Sequence, residues 1–181
     1  AEARLELGRE ANEALGDLEG LPANAAVPEA LKGRYALLLG RAQSAAGKHD
    51  DAAKTLTEGL AANKDLAFEF QMALGMAGRN AGRMAEAQKA YDEAIKVRPK
   101  SEEAKEGLGR VLLARSREKE LLERLKGEAD QRKIALVRGI AAARIEDNRR
   151  ARAELDRTRV NGKYPAEAVV YLALLDAAEE G

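Results

Sequence analysis

Glycine recurs inside helix-forming sequence at nearly constant intervals. Leu7-Gly8, Leu39-Gly40, Leu74-Gly75 and Leu108-Gly109 space their glycines 32, 35 and 34 residues apart, and Gly139 follows after 30 more. A glycine in a helix interior costs about 1 kcal/mol relative to alanine. Its recurrence therefore needs a reason, and close approach of a second helix supplies one. That helix is expected to set a small residue against each glycine. Twelve residues beyond Gly40, Gly75 and Gly139 stand Ala52, Ala87 and Ala151; sixteen beyond stand Leu56, Tyr91 and Leu155. The two offsets differ by four, so small and large residue share one helix face. Turn signals separate the paired segments at Gly47-Lys48-His49-Asp50 and between Gly78 and Gly82.

The apolar spacing predicts helices near 2–15, 28–46, 49–62, 65–79, 83–97, 101–115, 117–127, 131–145, 148–160 and 165–180. Pro28 and Pro165 suit a first helical turn. Ser101 is placed to cap the helix after Pro99-Lys100. Gly47 and Gly127 mark helix ends. Residues 16–27, with Gly20, Pro22 and Asn24, read as a connection.

The stretch Phe68–Ser101 resembles a tetratricopeptide repeat over its full length, through Leu74, Gly75, Ala87, Tyr91, Ala94 and Pro99. Residues 33–67 follow with Leu39, Gly40, Ala52 and Leu56, but carry Gly59 and Lys64 where the family has Ala and Pro. The third segment keeps Leu108 and Gly109 and departs at Leu121 and Glu128; the fourth keeps Gly139, Ala151 and Leu155. The chain is thus divided into an N-terminal cap or partial repeat (1–27), two repeats (28–67 and 68–101), two degenerate repeats (102–131 and 132–164) and a C-terminal capping helix or truncated repeat (165–181). The resemblance implies an all-α, right-handed solenoid of antiparallel helix pairs. It also implies a non-catalytic scaffold that holds a partner's peptide or helix on its concave side. The inward positions would be Arg34, Leu37, Arg41, Met72, Met76, Arg79, Glu106, Arg110 and Leu113. Leu37, Arg41 and Ala73 stand where one subfamily grips C-terminal carboxylates, so a co-chaperone of the Hsp90 or Hsp70 type is not expected.

Catalytic chemistry finds no constellation in the sequence. There is no cysteine, which removes disulfides, thiolate metal sites and a thiol nucleophile. The one histidine, His49, sits among turn residues. Glu102-Glu103 and Glu179-Glu180 read as solvated charge, and the glycines form no phosphate loop. No cofactor and no metal are expected. No apolar run reaches the roughly 18 residues that a membrane span needs.

Lys plus Arg and Asp plus Glu both total 31, so the formal net charge is zero. The distribution is uneven. From Arg98 to Lys163, 19 basic residues stand against 12 acidic ones, a net of +7. The peak lies at Arg149, Arg150, Arg152, Arg157 and Arg159, where Glu146, Asp147, Glu154 and Asp156 interleave. A salt-bridged face is the plainer reading, ahead of an acidic protein partner and of RNA bound through 138–159. The last helix, from Val169 to Leu175, is apolar on almost all sides and could mediate self-association. Two further readings therefore stand beside the scaffold: an architectural or oligomerisation module, and an RNA-binding helical repeat. The richness in Ala and Arg points to a high-GC bacterial genome, and family habit to an envelope, secretion or motility assembly. A start at Ala1 reads as a processed chain or an excised fragment. Nothing separates a cytoplasmic from a periplasmic residence.

Overall fold

The computed structural model describes residues 10, 12–13, 15–18, 20, 27–128 and 131–179. The Leu7-Gly8 pair and most of the expected first helix lie outside the described residues. The described residues from 10 to 18 are helical, so that helix runs past the expected end at 15 and takes in Gly16. Beyond it come α1 (Glu29–Ala45), α2 (His49–Ala62), a 3-10 turn (Lys64–Leu66), α3 (Ala67–Asn80), α4 (Met84–Val97), α5 (Glu102–Ala114), α6 (Glu118–Arg124), α7 (Arg132–Arg144), α8 (Asn148–Asp156) and α9 (Ala166–Glu179). Among the described residues the only extended pairing is one bridge between Val160 and Lys163. The chain forms two compact units, residues 1–99 and 100–181.

In the first unit α1 packs on α2 and α3 on α4, and α2 also packs on α3. Short turns force each pair antiparallel. The turns share one hydrogen-bond pattern. Lys48 N–H donates to Gln43 O at 2.8 Å and Gly47 N–H to Ser44 O at 3.3 Å. Arg83 and Gly82 repeat this with Gly78 O at 2.7 Å and Arg79 O at 3.0 Å. This is the Schellman helix end, which needs a left-handed residue, supplied by Gly47 (φ 81°) and Gly82 (φ 72°). The second unit repeats both bonds between α5 and α6 and between α7 and α8. Its left-handed residues are Ser116 (φ 53°) and Glu146 (φ 62°), which gave no glycine signal in the sequence.

The pair contacts correct one expectation. A methyl group built on Gly75 would stand 2.7 Å from the Tyr91 ring, and one on Gly40 2.5 Å from Leu56. On Gly139 it would stand 2.8 Å from Leu155. Each of these three glycines therefore meets first the large residue sixteen positions on rather than the alanine at twelve. The alanine meets a different residue in the second pair: a methyl on Gly78 would lie 3.0 Å from the Ala87 backbone nitrogen. The physical reason is volume. A bare backbone leaves a socket, and a ring or isobutyl group fills it, burying Tyr91 and Leu56 almost completely. Full burial of such a side chain stabilises by about 1.5–3 kcal/mol, which outweighs the roughly 1 kcal/mol cost of glycine. Gly59, where the family has Ala, makes room for the fully buried Phe70 ring, which a methyl there would strike.

In the second unit α7 is the central element. Every residue from Ile134 to Ala142 is buried. Here α5 packs chiefly on α7 rather than on the short α6. A methyl on Gly109 would lie 2.7 Å from Val137 of α7 and 3.5 Å from Leu125. Leu125 is the sixteenth residue on, so the socket persists where the alanine at twelve has become Leu121. Ser101 caps α5, its hydroxyl accepting from Ala104 N–H at 3.2 Å. The helix expected over 148–160 ends at Asp156. Asn161 (φ 48°) and Gly162 (φ 80°) then form a two-residue turn closed by reciprocal Val160–Lys163 bonds of 2.8 Å. Asn-Gly is a strong signal for this turn, and it overrides helical continuation.

Gly75→Ala tests the socket. Overpacking costs about 1–3 kcal/mol, more than the roughly 1 kcal/mol gained in helix propensity. Urea denaturation followed by circular dichroism is expected to show a net loss of stability, partly recovered when Tyr91→Leu is added. A gain in the single variant contradicts the contact.

Candidate partner-binding surface

The residues expected to face a partner lie on α1 and α3 in the first unit and on α5 in the second. On α1, Arg34 and Arg41 are exposed. Leu37 is buried in the core with Leu56, Phe70 and Ala73, so it supports the surface from beneath. Leu38, 55% exposed, lies between the two arginines on their stripe. Sequence reasoning missed it because its apolar character read as core. The shift by one residue is set by Gly40, which must turn toward Leu56.

On α3, Met76 is half exposed, and Met72 and Arg79 are half-buried. Met76 holds the position on α3 that Arg41 holds on α1, each being one residue beyond its repeat glycine. The two helices are tied near their ends by a 3.1 Å hydrogen bond from Asn80 Nδ2 to Ser44 Oγ. No acid among the described residues pairs with Arg34, Arg41 or Arg79. The surface is therefore apolar at Leu38 and Met76 and cationic around them.

On α5 the three expected residues have intramolecular roles. Leu113 is buried, and its carbonyl accepts from Arg144 Nη1 at 2.9 Å. Arg110 Nε donates to Glu106 Oε1 at 2.8 Å. Its two terminal nitrogens meet both oxygens of Glu167 on α9, at 3.1 and 3.0 Å. Paired charge, with Glu167 contributing most, raises the Arg110 pKa above its ordinary value. Arg152 holds the far end of α9 through Asp176 at 2.8 Å and Glu179 at 3.2 Å. The acids of α9 thus reach back to Arg110 and Arg152 while remaining exposed, as do Val169, Val170 and Leu174.

The basic segment is dispersed rather than gathered. Arg138 is buried and pairs with buried Glu154, and its Nη1 donates to Glu128 O at 3.0 Å. Arg157 also reaches Glu154, at 3.4 Å, and Arg159 lies over the Tyr164 ring. A buried pair of this kind adds little net stability, but losing one partner leaves a costly buried charge.

A concavity of about 280 Å³ lies in the first unit among α2, α3 and α4. His49 and Thr57 of α2, Leu74 and Ala77 of α3, and Lys89 and Glu93 of α4 line it. Arg83 pairs with Asp50 at its end and holds that carboxyl below the usual carboxylate range. Among the described residues no cluster of His, Asp and Glu is placed to hold a metal ion. Nor is any helix there long and apolar enough to cross a membrane.

Comparison with known proteins identifies the repeat. One tetratricopeptide repeat profile matches residues 64–163, more than half of the 181, and a second matches residues 37–88. The chain belongs to the tetratricopeptide repeat family. Its helix pairs are those of an all-α solenoid. Tetratricopeptide repeats are typically protein-binding and generally non-catalytic scaffolds. No curated protein matches the chain.

The ties on α9 lead to an expectation for Arg110→Ala. Exposed ion pairs contribute about 0.2–1 kcal/mol, so amide exchange across 166–175 is expected to quicken up to about fivefold. Exchange in α1–α4 should stay unchanged. Equal exchange across 166–175 in both proteins contradicts the tie.

Proposed function

We propose that this tetratricopeptide repeat chain is a protein-interaction scaffold whose first unit receives a partner's peptide or helix along α1 and α3. Leu38, Met72 and Met76 supply the apolar contact, and Arg34, Arg41 and Arg79 attract acidic flanks. Met76 adapts to more than one apolar anchor because its side chain is long and unbranched. Leu37 shapes the surface from the core. In the second unit Arg110, braced by Glu106, ties α9 through Glu167, and Leu113 lies in the core. The observation that carries the reading is the coexistence of exposed Leu38 and Met76 with three arginines that no described acid neutralises. A surface without its own counter-charges favours a partner that brings them.

A second reading, an oligomerisation module, draws support from α9, whose exposed Val169, Val170 and Leu174 carry no charge. One experiment separates the two. Peptides are selected on the protein from a random library and measured by fluorescence anisotropy. The scaffold reading expects acidic, amphipathic sequences, whose affinity falls at least tenfold in R41E/M76E with unchanged helicity. A tenfold loss corresponds to about 1.4 kcal/mol. Selected peptides indifferent to R41E/M76E, or a failure to select any from a chain that forms dimers, contradicts it.

A further inference from the structure

A larger cavity, of about 510 Å³, lies in the second unit between the start of α7 and the Asn161-Gly162 turn. Its size falls within the range of small-ligand and side-chain pockets. Leu136, Val160, Tyr164 and Pro165 line it with Arg132, Lys133 and Lys163. Val160 is 42% exposed, and Arg132 and Lys163 are also exposed.

We propose that this pocket binds an acidic peptide segment carrying one apolar anchor residue. The charges around it are unequally committed. Glu102 accepts the Lys133 backbone N–H at 2.8 Å. Asp156 accepts the Tyr164 hydroxyl at 2.8 Å, which raises the tyrosine pKa above its ordinary value. Thr158 donates its hydroxyl to Leu155 O at 2.7 Å. The donors to Glu102 and Asp156 are neutral, so both carboxylates keep their charge. Among the cations, Lys133 is shared loosely between Glu103 and Glu106, at 3.8 and 3.9 Å. Arg132 and Lys163 have no partner among the described residues. Among the residues that line the pocket, three cations, Arg132, Lys133 and Lys163, thus stand against the one carboxylate of Glu102, beside Leu136, Val160 and Pro165.

The turn presets part of this arrangement. Val160 and Lys163 are directly opposed across their reciprocal hydrogen bonds, so their side chains share one face. An apolar contact and a cation are held together before any ligand arrives, which lowers the ordering cost of binding. The same features favour a peptide over RNA. Tyr164 is the only aromatic lining the pocket. Its ring lies under the Arg159 guanidinium and its hydroxyl is spent on Asp156, so it offers no free platform for base stacking. The pocket lies within the second unit and shares no residue with the surface on α1 and α3.

The probe is a fluorescein-labelled peptide with one Leu flanked on each side by Glu and Asp, read by anisotropy against the whole chain. Saturable binding is expected. It should weaken at least tenfold when the acids become Gln and Asn, and at least fivefold when the Leu becomes Gly. R132E/K163E should weaken it at least tenfold, and V160S severalfold. Both variants alter exposed side chains, and thermal melting by circular dichroism checks that they fold. The share of binding that R132E/K163E removes should persist in R41E/M76E, which removes any share held on α1 and α3. The proposal is overturned by absence of saturable binding, or by binding indifferent to both R132E/K163E and V160S. Loss of that share in R41E/M76E instead moves the peptide to the first unit and overturns it too. Tighter binding of a ten-residue uridine RNA, abolished by R132E/K163E, assigns the pocket to nucleic acid and also overturns it.

Discussion

A large side chain laid on a bare glycine backbone is the contact on which the helix pairs depend. Gly75 receives the Tyr91 ring, Gly40 receives Leu56 and Gly139 receives Leu155. Without a Cβ, the first helix of each of these pairs presents a hollow, and the second helix fills it with a residue sixteen positions further along the chain. The contact fixes rotation as well as distance. With Gly40 turned to Leu56, Leu37 enters the core while Leu38 and Arg41 remain outside. Packing thereby determines which residues can meet a partner. Stability and the make-up of the exposed face have one geometric origin, as expected where each repeat buries its apolar face only against its neighbours.

The helices were legible because two periods coincide in the sequence. Helical spacing marks each segment, and the recurring glycine marks each pair. Gly47 and Gly82 announce their turns, since left-handed backbone favours glycine. Ser116 and Glu146 occupy equivalent turns without that signal, so the second unit reads as degenerate while keeping the same hydrogen bonds. The partner of each glycine was harder to read. Alanine at twelve and the large residue at sixteen share a face, and spacing alone does not say which one enters the hollow. The Asn161-Gly162 turn was missed because the charged run before it, from Arg149 to Arg157, continues in helical period.

Side-chain availability was the least legible property. Arg41 and Arg110 occupy the same repeat position, one residue beyond Gly40 and Gly109. Arg41 is exposed, whereas Arg110 is tied to Glu106 and Glu167. The difference comes from α9, 57 residues downstream of Arg110 at the contact. Likewise the basic segment looks like a patch in sequence, yet Arg138 and Arg152 are consumed by Glu154, Asp176 and Glu179. Arg34, Arg41 and Arg79 on α1 and α3, and Arg132 with Lys163 beside the pocket, are among the cations that no described acid pairs with. The exposed charge of this chain follows from which cations the fold leaves unpaired, not from net composition.

The glycine contact can be observed directly in solution. In a nuclear Overhauser spectrum of the labelled protein, the Gly75 α-protons are expected to show strong cross-peaks to the Tyr91 ring, and their resonances should be displaced by its ring current. Cross-peaks from Gly75 to the Ala87 methyl group, with none to Tyr91, would contradict the account.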